Sequence, residues 1–287
     1  MKKIFFIGIG AMGEPMATNL LKKGFEVSIV RNRSSAPVER LAAAGAKVAN
    51  TIMQAGADVD CAVLCLPTSR EVDICVAGEG GLLSSMRRGS VIVDCSTSFP
   101  ENTRQLGRLL NERGIAMVDA GLTRGVAGAK QGTLAFFIGG ESGHIEMVMP
   151  VLKAMGDTFI CLGKLGDGHA TKVISNVLSY TTVALVSEAL ALGSQAGVDP
   201  EKLFEALMQG APSKALEAFG PRILKGEYVP ARVTVDHVCE DMVMAQKMAN
   251  SSNTAAGFIG FAQTMFRMLS RRGFGGKDVA AVAEISK

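Results

Sequence analysis

The chain has 287 residues, 48% of them apolar and 20% charged, so it is long and apolar enough for two domains with sizeable cores, although tryptophan is absent. The net charge of +3 is small, and its longest basic cluster, Arg271-Arg272 with Lys277 nearby, reads as solvated surface, which excludes nucleic acid or a membrane surface as the main partner. Two lysines precede a short apolar run that enters a glycine turn, so the start reads as a strand rather than a signal peptide. No stretch approaches the roughly 18 unbroken apolar residues of a membrane span, and a cytoplasmic protein is expected.

The first thirty-odd residues carry the strongest local pattern. Ile4-Phe5-Phe6-Ile7 runs into Gly8-Ile9-Gly10-Ala11-Met12-Gly13. Met16, Leu20 and Leu21 then recur at helical spacing until Gly24, and Val27-Ser28-Ile29-Val30 follows. Strand, glycine turn, helix and strand at this scale predict a mononucleotide-binding unit. Gly8 permits the sharp turn, Gly10 lets backbone N–H groups approach a pyrophosphate, and Gly13 lets the helix pack close to the strand. The helix N-terminus adds a partial positive charge for the phosphates, which makes Gly8, Gly10, Ala11 and Gly13 cofactor-binding candidates. The second strand ends in Arg31-Asn32-Arg33-Ser34, without an Asp or Glu. A carboxylate there would bind the ribose 2′-hydroxyl of NAD, whereas Arg33 suits the 2′-phosphate of NADP. NADP rather than NAD is expected; the plainer alternative is a solvated basic loop.

A helix near residues 38–44, stopped at Gly45, leads to Lys47-Val48-Ala49. Cys61-Ala62-Val63-Leu64-Cys65-Leu66 is a continuous apolar run ending at Pro67. Val91-Ile92-Val93-Asp94 ends at Cys95-Ser96-Thr97, and Ala116-Met117-Val118-Asp119 ends at Ala120-Gly121. Ala135-Phe136-Phe137-Ile138 and Phe159-Ile160-Cys161-Leu162 complete the series. Strands interleaved with helices, and apolar throughout, predict an α/β fold with a doubly wound, mostly parallel sheet. Ligands of such sheets sit outside the carboxyl ends of the strands, which singles out Leu66-Pro67-Thr68, Ser96-Thr97 and Gly121 to Gly125. The six cysteines lie mostly inside apolar runs without a C-x-x-C, and the three histidines are scattered. Buried, reduced thiols are expected and a metal site is not.

Glycines at 163, 166 and 168 mark a change of character, and the division expected is 1–163 for the nucleotide domain and 164–287 for a second one. Residues 170–196 read as one long helix ended by Gly197. Asp199-Pro200 opens another, and residues 242–248 and 254–269 are helical too, so the second domain is expected to be all-α. Lys172 and Asn176 lie four apart on the long helix, hence on one face. Hydride transfer at an alcohol carbon needs a proton acceptor or donor on the oxygen, and a lysine with a lowered pKa serves, with Asn176 holding it or the substrate hydroxyl. On spacing alone an exposed lysine and an ordinary helix asparagine remain open.

Taken together, the motifs resemble the β-hydroxyacid dehydrogenase family, which includes 3-hydroxyisobutyrate dehydrogenases and tartronate semialdehyde reductases. Residues 8–21 are similar to its cofactor signature, and Asp94-Cys95-Ser96-Thr97 to its D-x-S-T segment. Gly168 with Lys172-Val173-Ile174-Ser175-Asn176 resembles its G-x-x-x-K-x-x-N-N segment, and Asp241 and Ala245 fall in its K-D-L-x-x-A segment. The resemblance implies Lys172 as general acid/base with Asn176 beside it. It places Met12, Pro67 and Thr97 on the nicotinamide side of the cofactor, beside the strand-end candidate Leu66, and Asn32-Arg33-Ser34 looks like the triplet of NADP-preferring members. It further implies a small anionic substrate, a 3-hydroxy acid or its semialdehyde, and a homodimer or homotetramer with the long helix at its centre.

This chain departs from the family in the substrate loop, where D-A-P-V-S-G-G is usual and Asp119-Ala120-Gly121-Leu122-Thr123-Arg124-Gly125 stands. Thr123 keeps a hydroxyl for a substrate carboxylate beside Gly125, and Arg124 replaces a glycine. Glu240 replaces the lysine that the family places on the cofactor side. Arg124 is read as pairing with Glu240 or supplying its lost cationic role, as binding a second anionic group of the substrate, or as turned to solvent. His169 is read as a packing or capping group at the helix start, and no function is assigned to His237. An imine reductase, which usually lacks such a lysine, and a non-catalytic NADP-binding module are the alternative readings.

Overall fold

The computed structural model describes residues 1–31 and 35–286. It contains two compact units, Met1–Lys172 and Val173–Lys287. The division expected from the sequence, 1–163 and 164–287, falls just before the long helix, and that of the compact units falls within it. The difference arises because the first turns of the long helix are held on the sheet of the first unit, as described below.

The first unit is one eight-stranded sheet. Its strands are β1 (Lys3–Ile7), β2 (Glu26–Val30), β3 (Lys47–Ala49), β4 (Cys61–Leu64), β5 (Val91–Asp94), β6 (Ala116–Thr123), β7 (Leu134–Gly139) and β8 (Gly156–Gly163). Their spatial order is β3-β2-β1-β4-β5-β6-β7-β8. All neighbours are parallel except β6 and β7. The first six strands therefore follow the dinucleotide-binding order, with its switch point between β1 and β4. The helices of this unit are α1 (Gly13–Lys22), α2 (Ala36–Ala43), α3 (Ile52–Gly56), α4 (Ser69–Ala77), α5 (Leu82–Ser85), α6 (Pro100–Glu112), α7 (Gly125–Gln131) and α8 (Ser142–Met155).

Alternation along each strand divides the core in two. Phe6, Ile29, Val63, Val93 and Val118 face one way and pack with Met16 and Leu20 of α1 and Val148 and Leu152 of α8. Phe5, Ala62, Ile92 and Met117 face the other way, toward Val72 of α4 and Leu106 and Leu110 of α6. Burial on both faces is why these strands read as unbroken apolar runs. β8 is an edge strand, and Cys161 on it is exposed, contrary to the buried thiol expected. Cys61 and Cys95 are buried and all six cysteines are unpaired. β6 also continues beyond its expected end, because residues 119–123 pair antiparallel with β7.

The long helix, α9 (Asp167–Gln195), is followed by α10 (Pro200–Gly210), α11 (Lys214–Lys225), α12 (Val235–Ser251) and α13 (Gly257–Leu269), with short helical turns after them. In the second unit Val173, Val177, Tyr180, Val183 and Leu190 of α9 form a core with Val238 and Met242 of α12 and Phe266 of α13. Another face of α9 leaves Ile174, Leu178, Leu185 and Leu192 more than half exposed. By length and composition alone α9 is apolar enough to cross a membrane, although one side of it is core.

Candidate active site

The opening loop is shaped by backbone contacts that only glycine permits. Gly8 has φ 99°, and a Cβ built there would stand 2.1 Å from the Cys65 carbonyl oxygen at the end of β4. A Cβ on Gly13 would stand 1.9 Å from the Gly8 carbonyl oxygen, so α1 starts directly against the loop. Gly10 differs: it is exposed, and a Cβ there meets no protein atom within 4 Å. No side chain caps the N-terminus of α1, where Met12 stands at the cap position. An exposed glycine before an uncapped helix start fits a pyrophosphate on backbone N–H groups. Asn32, Arg33 and Ser34, the expected readers of the cofactor ribose, lie outside the described residues.

The neighbouring strand ends complete the rim. Leu66 reaches Gly8, its Cδ2 standing 3.2 Å from the built Cβ. The Leu66 N–H donates to Ser96 Oγ at 2.9 Å, tying the loops after β4 and β5 together. Asp94, fully buried, accepts from the Ser96 N–H and the Ser98 hydroxyl, both at 2.9 Å, and so shapes the turn that carries Thr97. Gly8, Gly10, Ala11, Met12, Gly13, Leu66, Pro67 and Thr97 thus lie around the carboxyl ends of β1, β4 and β5.

β6 supplies the next wall. Met117, Asp119, Gly121 and Thr123 alternate onto one face, and Lys172 packs its stem against Gly121. The start of α9 is held by Asp119, which accepts the N–H groups of Gly166 at 2.7 Å and His169 at 2.6 Å. Burial pushes the Asp119 carboxyl up, an effect that His169 and the two N–H donors oppose. His169 is fully buried, its Nδ1 2.8 Å from Thr103 Oγ1 on α6 and its Nε2 3.2 Å from the Asp94 carbonyl oxygen. Packing, as read from the sequence, is its place. Asp94 and Asp119 were legible only as members of motifs; their work as anchors depends on contacts 47 to 75 residues distant in the chain.

Arg124 is about half exposed, and its side chain makes contacts within the first unit. Its left-handed backbone, φ 77°, directs the guanidinium onto the edge of the sheet. There Nη1 meets Asp157 Oδ1 at 2.6 Å and the Thr133 carbonyl at 2.7 Å, and Nη2 meets Thr158 Oγ1 at 2.9 Å. Its carboxylate partner is Asp157. Thr123 and Gly125 flank Arg124, half-buried and exposed respectively.

In the second unit, Asn176 donates to Asp241 Oδ2 at 2.7 Å; both are buried. The Tyr180 hydroxyl also bonds Asp241, and His237 Nε2 lies 3.8 Å from the same carboxylate. Burial pushes the Tyr180 phenol well up. Glu240, next along α12, is exposed.

Residues 3–163 match the family model described as the NAD binding domain of 6-phosphogluconate dehydrogenase. Residues 166–286 match the model described as NAD-binding of NADP-dependent 3-hydroxyisobutyrate dehydrogenase. The NAD-dependent L-serine dehydrogenase of Pseudomonas aeruginosa is 33% identical, over 99% of this chain and 98% of that protein. The chain belongs to the β-hydroxyacid dehydrogenase family. The 2-hydroxy-3-oxopropionate reductase of Escherichia coli is 32% identical, over 98% of this chain and 96% of that protein. The structure of a Mycobacterium tuberculosis 3-hydroxyisobutyrate dehydrogenase superposes with a TM-score of 0.90 at 24% identity, over 99% of both chains, and shows the shared fold. As a β-hydroxyacid dehydrogenase the protein is an NAD(P)-dependent oxidoreductase acting on the CH–OH group of a hydroxy acid.

Proposed function

We propose that the protein is an NADP-dependent oxidoreductase that interconverts a small 3-hydroxy acid and its semialdehyde, with Lys172 as general acid/base. The observation that carries this reading is the seating of Lys172 against Gly121, on the strand whose end bears Thr123 and in the same unit as the glycine loop. The loop and the start of α1 would hold the pyrophosphate, and Arg33 the 2′-phosphate. When bound, the nicotinamide supplies or accepts the hydride. The Thr123 hydroxyl and the Gly125 N–H would orient the substrate carboxylate. The Lys172 ammonium would give its proton to the substrate oxygen in reduction and its amine would take it back in oxidation. Asn176, one helical turn on, would steady that amine or the substrate hydroxyl, with its own amide fixed by Asp241.

A panel of short semialdehydes and 3-hydroxy acids, assayed with both cofactors, tests the reading. NADPH is expected to bind more tightly than NADH, and a preference for NADH would remove the role given to Arg33. Lys172→Ala is expected to lose about 10²–10⁴ in turnover while keeping its affinity for NADPH. Retained turnover would exclude Lys172 as the proton carrier.

A further inference from the structure

The start of α9 rests on one face of β6 through two residues two positions apart. Asp119, fully buried, receives the N–H groups of Gly166 and His169 at 2.7 and 2.6 Å. These belong to the first-turn donors that a helix cannot satisfy by itself. A side chain of a distant strand takes the place of the usual local cap. Further along the strand, a Cβ built on Gly121 would stand 2.7 Å from Lys172 Cβ, 3.1 Å from its Cγ and 3.3 Å from the Gly168 carbonyl oxygen. Lys172 Cβ is fixed to the helix backbone, so no rotamer change relieves that contact; the helix would have to move. β7 closes the seat from beside. A Cβ on Gly168 would stand 2.3 Å from the Phe137 carbonyl oxygen, and one on Gly139 2.5 Å from Asp119 Oδ1. The family loop usually has proline at position 121, where this chain has glycine.

We propose that Asp119 and Gly121 are positioning residues for Lys172. Asp119 fixes α9 along its axis, and Gly121 sets the distance between the helix and the strand. Together they fix where the Lys172 stem leaves the helix beside β6. Neither residue touches substrate; both act through Lys172, and the inference rests on the acid/base reading of that lysine.

Gly121→Ala and Asp119→Asn in the full-length protein test it. The alanine adds one methyl at the seat. The asparagine keeps the shape but turns one acceptor into a donor facing an N–H group. Three quantities are read: kcat and KM, the Kd for NADPH by fluorescence, and the rate at which formaldehyde and borohydride methylate Lys172, relative to the other lysines, in cofactor-free protein. A displacement near 1 Å is expected to lower kcat roughly tenfold or more with the NADPH Kd unchanged. The methylation rate of Lys172 should shift several-fold in both variants. Gly121→Ala combined with Lys172→Ala should be no slower than Lys172→Ala alone, because the two changes act through one group. Unchanged kcat and methylation in Gly121→Ala, or a loss that adds to that of Lys172→Ala, would overturn the proposal, whatever the folding of Asp119→Asn. If Lys172→Ala itself retains turnover, the acid/base reading falls, and the methylation shift alone decides whether the seat positions the lysine.

Discussion

At the scale of single residues, the glycines of the opening loop separate into those that serve the fold and one that serves a ligand. Gly8 takes φ 99° with its Cα against the Cys65 carbonyl, so any side chain there meets strain and backbone together. Gly10 faces open space. Gly8→Ala should therefore destabilise the cofactor-free protein by about 2 kcal/mol or more, the left-handed penalty alone being about 1–2 kcal/mol. Gly10→Ala should leave unfolding unchanged to within about 0.5 kcal/mol. It should nonetheless weaken NADPH binding at least about tenfold, since its methyl would occupy the space where a pyrophosphate approaches the backbone. Urea unfolding without cofactor and fluorescence titration with it distinguish the two; equal destabilisation by both would remove the division of labour. The spacing of these glycines was readable because their constraint is local. Gly121 was not readable in the same way, since what crowds it is a lysine 51 residues further on.

At the scale of elements, the stretch from β6 into α7 shows where local patterning runs out. Asp119 ends an apolar run and looked like a strand terminus, yet the strand continues to Thr123 because β7 pairs with it antiparallel. Arg124 then adopts φ 77° at the head of α7, a conformation glycine takes without cost. The contacts with Asp157, Thr133 and Thr158 tie this turn to β7 and β8 and offset part of the strain. The sequence offered Glu240 as a partner because both residues break family patterns. Strand order, which no local signal announces, brings Asp157 there instead. Both partners are about half exposed, so solvent screening keeps the contribution of the ion pair small. Arg124→Gly loses the pair and gains relief from strain, and should change stability by no more than about 0.5 kcal/mol. Arg124→Ala loses the pair and keeps the strain, and should be less stable than the glycine variant by about 1 kcal/mol. Since the guanidinium is turned to the sheet edge, neither variant should discriminate between mono- and dianionic aldehydes in KM. A selective loss on dianions would return Arg124 to the substrate.

At the scale of the whole molecule, α9 dominates the second unit, and its length was legible because apolar residues recur at helical spacing up to the stop at Gly197. What the period did not reveal is which of its faces would be covered. Ile174, Leu178, Leu185 and Leu192 stay 59%, 69%, 64% and 73% exposed, separated by four, seven and seven positions. That spacing forms a single stripe along roughly 27 Å of the helix. Its start opens onto an apolar groove of about 470 Å³ lined by Ile174, Leu178, Met248, Phe258 and Ile259. We propose that a second copy of the chain covers the stripe. A seam with heptad-like spacing on a long helix matches the same helix of an identical subunit about a two-fold axis, where each residue meets its own surroundings twice. Leu185 stands in the middle of it. Leu185→Glu would put two carboxylates into the seam, and the loss of about 1.5–3 kcal/mol of apolar burial per leucine would add to the cost of desolvating them. Sedimentation equilibrium at micromolar concentration is therefore expected to give a dimer or larger assembly for the native chain and a monomer for Leu185→Glu, with the urea midpoint lowered in the variant. A native chain that sediments as a monomer, or that assembles equally well with glutamate at 185, would show that something other than this chain covers α9; partition of the native protein onto lipid vesicles would then name a membrane as the occupant.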